Sequence, residues 1–429
     1  MSKKIYTVFF SVLLILFFVL CSCATPPFSR TADRTVPDDF FGISPYQRDL
    51  EKEDFQMLDE IGAVWLRRTC RWSSLEAKQG VWDFSSWDLY VRDSKADGKK
   101  ILAILGYDAP WIYAEPVSGR KITAETLPYY INYVEQVVTR YKGQIDAYEI
   151  WNEPNWNSWY GTREEFYALT IAAAKKIREI DPQAKIVAGS FWRVPDSFVR
   201  GLFNSGAMEY ADAISFHPYA LNPAGTVNLF DKLEKILAKY NYGGEVWVTE
   251  VGYPTGGWYP TAVKEKNFPR AIIKTLAGLA VRNVRAVIWY EFKDGFNLGQ
   301  APSKMESESF FGIATLDRIR KNGYWAWALC ARNLAGTTYR SDWPLRENLP
   351  DRTVSLCFTG QNNKNVLIIW NENGGNIKIS LDLQGDSLAI YDISTGQGRP
   401  LMQNEEIVIS EDPVFITWYG NQTPLAVKL

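Results

Sequence analysis

The stretch DAYEIWNEPN, residues 146–155, carries the strongest structural signal in the sequence. Its first half is a short apolar run of the kind that forms a buried strand. Pro154 has no backbone N–H and cannot continue a hydrogen-bonded ladder, so the strand must stop just before it. Asn152 and Glu153 are therefore predicted to lie at the carboxyl end of a strand, where parallel α/β folds place their functional side chains.

Outward from this stretch, short apolar runs alternate with longer amphipathic ones. The eight candidate strands are FFGIS (40–44), AVWLRR (63–68), KILAIL (100–105), DAYEIW (146–151), KIVAGS (185–190), AISFHPY (213–219), EVWVTE (245–250) and AVIWYEF (286–292). Helix-like stretches lie at 52–61, 86–97, 127–141, 162–180, 229–239, 263–281 and 323–334. This alternation predicts an α/β fold over residues 37–334, a (β/α)8 TIM barrel, with a doubly wound open sheet as the alternative.

After residue 334 the pattern changes to short runs, several with period-2 alternation. The runs are VSLCF, NVLIIW, IKISLDL, SLAIYD, EEIVIS and VFITWY. Turns rich in Asn or Gly, such as GQNNKN and NENGGN, separate several of them. Residues 335–429 are therefore predicted to form a small all-β, sandwich-like domain that packs on the barrel.

The first residues have the composition of an export signal. A positively charged start precedes 13 mostly apolar residues (8–20), the length of a signal-peptide core and too short to span a bilayer. The run ends in LCSC (20–23), which is similar to the bacterial lipobox and would place the lipid on Cys23. We therefore expect a lipoprotein signal peptide (1–22), a flexible tether (23–36) and an exported, membrane-anchored protein. An uncleaved N-terminal anchor is the alternative.

Composition excludes several kinds of chemistry. The 47 basic and 49 acidic residues lack the basic excess of a nucleic-acid-binding surface. His217 is the single histidine of the chain, so a multi-histidine metal site is excluded and a Ser-His-Asp triad would depend on that residue. If Cys23 is lipidated, the three thiols of Cys70, Cys330 and Cys357 remain, which define no disulfide framework. Carboxylates are the abundant catalytic groups that remain, and no metal or cofactor is predicted.

A second carboxylate repeats the arrangement of the first. In EVWVTEVGY (245–253), Glu250 closes the seventh apolar strand just before a glycine turn. A lone Glu at such a position would be a weak signal. As the partner of Glu153 three strands earlier it is a strong one, because the carboxyl ends of all barrel strands meet at the same face.

The pair WNEP after the fourth strand and TE-x-G after the seventh resembles glycoside hydrolase clan A, the TIM-barrel retaining glycosidases. Within the clan, the sequences around the two glutamates are most similar to family 39. The resemblance implies that Glu153 is the acid/base, that Glu250 is the nucleophile and that Asn152 binds a sugar hydroxyl. In retaining enzymes the two carboxyl groups lie about 5–5.5 Å apart. We expect Glu153 to start protonated, its pKa raised by burial and by the charge of Glu250.

Four further residues match the resemblance, and three of them have a structural alternative. Arg67 at the end of the second strand would steady the nucleophile, or it would be a buried partner of a barrel carboxylate such as Glu149. His217 and Tyr219 match the strand-six pair near the nucleophile; two residues apart, they point the same way along a strand. The alternative for His217 is a satisfied core histidine. Trp289 would floor the sugar site, or it would simply pack in the core.

Aromatic residues make up 14% of the chain, including 17 Trp. Several tryptophans fall on predicted loops at the face of the barrel that carries the two glutamates, where flat rings could stack on sugars: Trp111, Trp156, Trp159, Trp192 and Trp258. For each of them, covering a helix end is an equal alternative.

The preferred hypothesis is a retaining glycoside hydrolase that acts on a poly- or oligosaccharide, with carbohydrate and, through the lipid, a membrane as its partners. A catalytically inactive carbohydrate-binding surface lipoprotein on the same scaffold is the first alternative. A structural lipoprotein whose β domain binds a partner is the second.

Overall fold

The computed structural model of the chain describes residues 28–45, 49–113, 120–295, 307–342, 349–350, 352–381, 385–420 and 427–428. Eight parallel strands close into a barrel surrounded by helices, and antiparallel strands form two further sheets beside it. The predicted α/β fold, a (β/α)8 TIM barrel followed by a small all-β sandwich-like domain, is confirmed, and the closed barrel excludes the open sheet. The predicted signal peptide (1–22) and Cys23 lie outside the described residues.

All eight predicted barrel strands are present, with ends that differ from the prediction by at most three residues. A two-residue strand, β1 (Arg34–Thr35), precedes the barrel strands β2 (Phe41–Ile43), β3 (Trp65–Arg71), β4 (Lys100–Gly106), β5 (Ala147–Ile150), β6 (Lys185–Trp192), β7 (Ala213–His217), β8 (Glu245–Val251) and β9 (Ala286–Trp289). The barrel closes where β9 runs parallel to β2, with Phe41 opposite Val287.

Side chains at alternate positions of these strands fill the inside of the barrel. The layer nearest the strand beginnings is apolar and consists of Trp65, Leu102, Ala147, Val187, Ala213, Trp247, Ala286 and Ile288. Two residues further along three of these strands the buried side chains become polar: Arg67, Glu149 and Ser215. The barrel is thus packed shut at one end, and a polar layer lies beneath the other.

The helices of the barrel are α1 (Lys52–Ile61), α2 (Trp72–Leu75), α3 (Ser85–Ala96), α4 (Leu127–Arg140), α5 (Arg163–Ile180), α6 (Asp196–Asn204), α7 (Pro223–Leu237), α8 (Phe268–Ala280) and α9 (Asn322–Leu334). All seven predicted helices are among them. The short α6, with three buried apolar side chains, is outside the predicted set. Helix α7 begins before its predicted start at 229, because the Asn222 side chain accepts a hydrogen bond from Gly225 N at 2.9 Å and Pro223 suits the first turn.

The three thiols that the sequence leaves unpaired, Cys70, Cys330 and Cys357, are free and buried. Among the helices that the structure describes, none combines the length and the apolar character that a membrane crossing requires.

The C-terminal strands are β10 (Thr338–Tyr339), β11 (Thr353–Thr359), β12 (Lys364–Asn371), β13 (Ile377–Leu381), β14 (Asp386–Tyr391), β15 (Gly398–Pro400), β16 (Glu406–Ile409), β17 (Val414–Tyr419) and β18 (Val427–Lys428). The larger sheet has the order β1-β10-β11-β12-β17-β14-β15, and the smaller has β16-β13-β18. Along β12, Val366, Ile368 and Trp370 join the core shared with the barrel, whereas Leu367 and Ile369 pack against the small sheet. Burial of both faces explains the unbroken apolar run NVLIIW.

The predicted flexible tether (23–36) is wrong for residues 28–36, which pack against the rest of the protein. The Phe28 ring is fully buried and meets Trp370 edge-on, with 5.0 Å between ring centroids. Strand β1 pairs antiparallel with β10, and the Arg34 side chain donates hydrogen bonds to two backbone carbonyls just before β9. The sequence gives no sign of this, because the segment has neither strand nor helix periodicity.

Candidate active site

The turn that follows β5 fixes the position of Glu153. Trp151 and Glu153 adopt left-handed backbone conformations, with φ of 68° and 49°, which cost an L-residue about 1–2 kcal/mol each. The conformation is held because Glu153 N donates to Ser190 O at 2.8 Å, at the end of the next strand. Beneath it, the buried Trp151 indole donates to the Ser158 backbone at 3.2 Å. Left-handed residues of this kind cluster at functional sites.

Glu250 reaches the barrel mouth through an irregularity in β8. Trp247 faces the barrel interior, so strict alternation would turn Glu250 outward. The register between β8 and β9 shifts between Val248 and Val251, and such bulges re-aim side chains next to active sites. The Glu250 carboxylate accepts a hydrogen bond from Tyr219 Oη at 2.7 Å.

Arg67 joins the polar side chains of three strands. Its Nε donates to Glu149 Oε2 at 2.8 Å, its Nη1 to Glu250 Oε2 at 2.8 Å and its Nη2 to Asn152 Oδ1 at 2.7 Å. Burial acts to lower the pKa of Arg67, but the charges of Glu149 and Glu250 outweigh it and raise that pKa. Burial likewise acts to raise the pKa of Glu149, and Arg67 holds it below its ordinary value. Arg67 therefore contacts the barrel carboxylate Glu149 and the candidate nucleophile Glu250 at the same time.

His217 lies between the two glutamates. Its Nδ1 is 2.7 Å from Glu153 Oε1 and 3.9 Å from Glu250 Oε2. Burial lowers the pKa of His217 to about 4, so the ring is neutral at neutral pH. Its Nε2 faces Arg67 Nη2 at 3.4 Å. Because a guanidinium has donors alone, Nε2 must accept, the proton is on Nδ1, and His217 donates to Glu153.

The two candidate catalytic carboxyls differ in environment. Burial raises the pKa of Glu153 to about 7, Arg67 opposes the rise and the charge of Glu149 adds to it. From the sequence, we expect the charge of Glu250 to make this electrostatic contribution, whereas in the structure the charge of Glu149 makes it. Glu250 is instead bound by Arg67 and Tyr219, both of which stabilise a carboxylate. Carboxylate oxygens of Glu153 and Glu250 lie within 4.8 Å of each other.

Metal-ligating atoms of Glu153, His217 and Glu250 all lie within 4.8 Å of one another. Within the described residues this is the cluster whose side chains could hold a cation. The positive charge of Arg67, 2.8 Å from Glu250, opposes a cation there. The arrangement is better suited to proton transfer and nucleophilic attack.

A cavity of about 120 Å³ opens beside Arg67 and Glu250, and Tyr107 and Tyr290 also line it. Trp289, predicted to floor the sugar site, does not line this cavity. Its ring is fully buried among core residues, 6.4 Å from the Phe268 ring on α8. The alternation of β9 sends Trp289 towards the helices, and the next residue, Tyr290, takes the place at the mouth. Tyr107 and Tyr290 directly follow the observed ends of β4 and β9. The predicted strands end at 105 and 292, so neither tyrosine is singled out from the sequence.

The structure also brings a third carboxylate, Glu308, to the mouth. Tyr290 Oη donates to Glu308 Oε2 at 3.4 Å. Although Glu308 reaches solvent, the cleft walls desolvate its carboxyl and raise its pKa, and the charge of Glu250 raises it further. Glu308 lies in a short 3-10 helix, Ser307–Phe310, outside every predicted strand and helix, so its place at the mouth is known from the structure.

The five candidate tryptophans separate into two groups. Trp111 and Trp159 have structural contacts: the Trp111 indole donates to a backbone carbonyl at 2.8 Å, and Trp159 is buried against Trp151. The other three line the outside of the mouth. Trp156 is 48% exposed and Trp258 is 63% exposed, while the half-buried Trp192 lies against Trp156.

No protein-family model matches the chain. It is similar to two curated proteins of Phanerodontia chrysosporium. Endo-1,4-beta-xylanase A is 30% identical over 142 residues, which are 30% of this chain and 33% of that protein. Endo-1,4-beta-xylanase C is 28% identical over 167 residues, 35% of this chain and 40% of that protein. The chain thus covers well under two thirds of the curated relatives it matches.

Solved structures share the fold over most of the chain. A family 39 glycoside hydrolase from the gut symbiont Bacteroides cellulosilyticus WH2 has a TM-score of 0.74 at 20% identity, over 89% of this chain and 81% of that one. A family 39 beta-xylosidase from Caulobacter crescentus has a TM-score of 0.64 at 16% identity, over 91% and 98%. At these identities the likeness shows the fold, and the resemblance to family 39 glycoside hydrolases expected from the sequence is confirmed at that level.

Proposed function

We propose that this protein is a retaining glycoside hydrolase that cleaves β-linked poly- or oligosaccharides, with Glu153 as acid/base and Glu250 as nucleophile. The observation that carries the proposal is the approach of their carboxylate oxygens to within 4.8 Å in two unlike environments. Retaining glycosidases keep the two carboxyl groups about 5–5.5 Å apart, whereas inverting ones need about 6.5–9.5 Å to admit a water.

In the first step, Glu250 attacks the anomeric carbon while the bond from that carbon to the leaving oxygen breaks. Glu153 gives its proton to the leaving oxygen. Because His217 Nδ1–H already occupies Glu153 Oε1, the acidic proton is carried on Oε2. Arg67 and Tyr219 hold the Glu250 carboxylate in place, so it need not reorganise before the attack.

In the second step, the ionised Glu153 accepts a proton from water as the water oxygen attacks the anomeric carbon. The ester bond to Glu250 breaks, and its carboxylate returns to the hydrogen bonds of Arg67 and Tyr219. A pKa of about 7 for Glu153 leaves both protonation states accessible near neutral pH, which suits a residue that acts first as acid and then as base.

The sugar is the open part of the proposal. The curated relatives are named endo-1,4-beta-xylanases, and one structural neighbour is a beta-xylosidase. These names make β-linked xylose the first substrate to test. The exposed rings of Trp156 and Trp258 beside the mouth support a carbohydrate ligand.

We further propose that the protein is exported and anchored through a lipid on Cys23. The apolar run 8–20 followed by LCSC supports this. Mass spectrometry of the mature protein from membranes tests it: a diacylated N-terminal Cys23 is expected, and an N-terminus at Met1 would contradict it. Cys23→Ala should release the protein from the membrane fraction.

The experiment that tests the activity uses residues 24–429 with a panel of aryl β-glycosides and β-linked polysaccharides, beginning with xylan. We expect hydrolysis that is abolished in Glu250→Gln. Glu245→Gln is the matched control, because Glu245 lies on the same strand at the opposite end of the barrel, paired with Lys185 at 2.9 Å. It should keep turnover.

Proton NMR of the first-formed product distinguishes retention from inversion. A β anomer from a β-glycoside supports the two-step mechanism, and an α anomer would refute it. Sugar binding without turnover by the wild-type protein would favour the inactive carbohydrate-binding lipoprotein instead.

A further inference from the structure

Two tryptophans form a continuous aromatic platform next to the catalytic acid. The rings of Trp156 and Trp192 lie 4.3 Å apart between centroids, tilted by 30°. Trp156 N donates to Glu153 O at 3.0 Å, so the platform begins in the turn that carries the acid. Asn155 fastens this turn to the end of β6 with a reciprocal pair of hydrogen bonds: its Nδ2 donates to Trp192 O at 2.8 Å, and Trp192 N donates to its Oδ1 at 2.9 Å.

A guanidinium is held at the edge of the platform. Arg193 has a left-handed backbone conformation, φ 59°, and its N donates to His217 O at 2.8 Å. Its guanidinium carbon lies 5.7 Å from the centroid of the Trp192 ring. The side chain is exposed, and no carboxylate of the described chain lies within 4.0 Å of it. The backbone thus maintains an unfavourable conformation that presents an unpaired positive charge beside exposed rings.

The charge of Arg193 reaches the cleft. Burial raises the pKa of Tyr259 on the opposite loop, the charges of Glu308 and Glu153 raise it further, and Arg193 lowers it. Geometry agrees: Arg193 N donates to His217 O at 2.8 Å, and the ring of His217 contacts Glu153 at 2.7 Å, so Arg193 and the catalytic acid border the same space. Before the first step of the reaction Glu153 is protonated, and in that state it places no negative charge beside Arg193. Glu308, the other carboxylate that acts on Tyr259, forms a hydrogen bond with Tyr290, and among the described residues it makes no ion pair with Arg193.

Resting on the function proposed above, we propose that Trp156, Trp192 and Arg193 form a subsite for an anionic sugar unit on the leaving-group side of the scissile bond. The acid must touch the leaving oxygen, so the unit attached through that oxygen lies on the Glu153 side of the mouth. There a sugar ring stacks on the two indoles, and a carboxylate or sulfate carried by the backbone unit or by its branch accepts hydrogen bonds from the guanidinium. The substrate class is an acidic polysaccharide cleaved within the chain.

Binding without turnover tests this subsite. In the Glu250→Gln background, calorimetry compares xylohexaose with a glucuronate-bearing xylo-oligosaccharide of the same backbone length, and with a sulfated one. We expect the acidic chains to bind at least about tenfold more tightly at low salt, the range of a charge-assisted hydrogen bond. The preference should shrink as salt is added.

Arg193→Gln should remove the preference and leave xylohexaose affinity within twofold, whereas Arg193→Lys should retain part of it. Trp156→Ala should weaken neutral and acidic chains alike. Arg352→Gln is the matched control: Arg352 is also exposed, also left-handed at φ 65° and lies in the β domain, so its loss removes one equal charge away from the cleft. It should change neither affinity.

The kcat/KM ratio for glucuronate-bearing over neutral xylan in the otherwise wild-type protein gives a second readout that does not depend on Glu250→Gln. Preference for the glucuronate chain or for the sulfated chain identifies which anion the subsite takes. Equal affinity for neutral and acidic chains, or equal effects of Arg193→Gln and Arg352→Gln, overturns the subsite while turnover still supports the proposed function. Tighter binding of acidic chains without any turnover would support the subsite and overturn the proposed function.

Discussion

Replacing Glu153 by Gln should abolish turnover and yet stabilise the protein at alkaline pH. Burial raises the pKa of this carboxyl from 4.5 to about 7 in the folded state. The folded protein therefore binds more protons than the unfolded chain between these two values, and the free energy of unfolding falls as the pH rises through them. At 1.36 kcal/mol per pKa unit, the ionised Glu153 costs about 3 kcal/mol at pH 8.

The glutamine has no charge to bury, and its amide oxygen can still accept the hydrogen bond that His217 donates. For a chain of this length the entropy of unfolding is about 0.9 kcal/mol per kelvin, so the melting temperature at pH 8 should rise by about 3–4 °C. At pH 4.5 wild type and variant should differ by a few tenths of a kcal/mol, because the wild-type carboxyl is then protonated in the folded state.

Differential scanning calorimetry of Glu153→Gln and wild type at both pH values makes the comparison. Glu250→Gln is the control with the opposite expectation, because it loses a carboxylate that Arg67 and Tyr219 bind at 2.8 and 2.7 Å. That variant should melt below wild type at pH 8. If Glu153→Gln lowered the melting temperature, or shifted it equally at both pH values, the reasoning about a buried, unfavourably ionised acid would be refuted.

Turnover should fall as pH rises through about 7, because the proton on the catalytic acid is then lost; a kcat/KM profile that stays flat to pH 9 would contradict this. Arg67→Met should destabilise the protein by about 3–5 kcal/mol in urea unfolding, since it leaves Glu149 charged, buried and unpaired, and adding Glu149→Gln should recover part of the loss. Tyr219→Phe should lower kcat by about 10- to 100-fold by removing the hydrogen bond to Glu250, with little change in melting temperature. Trp289→Phe should instead lower the free energy of unfolding by about 1–3 kcal/mol and leave kcat within twofold. A large loss of kcat would show that Trp289 does contribute to the sugar site.

The parts of the fold that could be predicted are those with a local physical cause. An apolar run that ends at Pro154 must be a strand that stops there, and the same rule applied to EVWVTE finds Glu250. Because all barrel strands end at one face, two such glutamates must converge. The β domain follows in the same way from period-2 runs between Asn- and Gly-rich turns.

The errors lie where backbone irregularity or long-range packing decides. Every residue of the run AVIW is apolar, so the sequence does not reveal that Ala286 and Ile288 face the barrel interior and that alternation therefore sends Trp289 to the helices. Glu308 is on a segment without periodicity. It lies at the site because the chain after β9 folds back to the barrel mouth, where Glu308 contacts Tyr290. Residue Glu149, which the sequence offers as a partner of Arg67, also supplies the charge that raises the pKa of Glu153. Such an effect acts through space and has no signature in the spacing of residues.

If Cys23 carries the proposed lipid, the packing of residues 28–36 against the protein body limits the distance between the body and the membrane. A free tether from Cys23 to residue 36 would allow an excursion of about 45 Å. With Phe28 buried against Trp370, five residue steps remain between the lipidated cysteine and a fixed point, and these span at most about 17 Å. The body would then be confined to a shell close to the bilayer and unable to rotate freely above it. Its substrate would then have to be captured at the membrane surface, because the active site could not reach glycans further from the bilayer than the body itself extends.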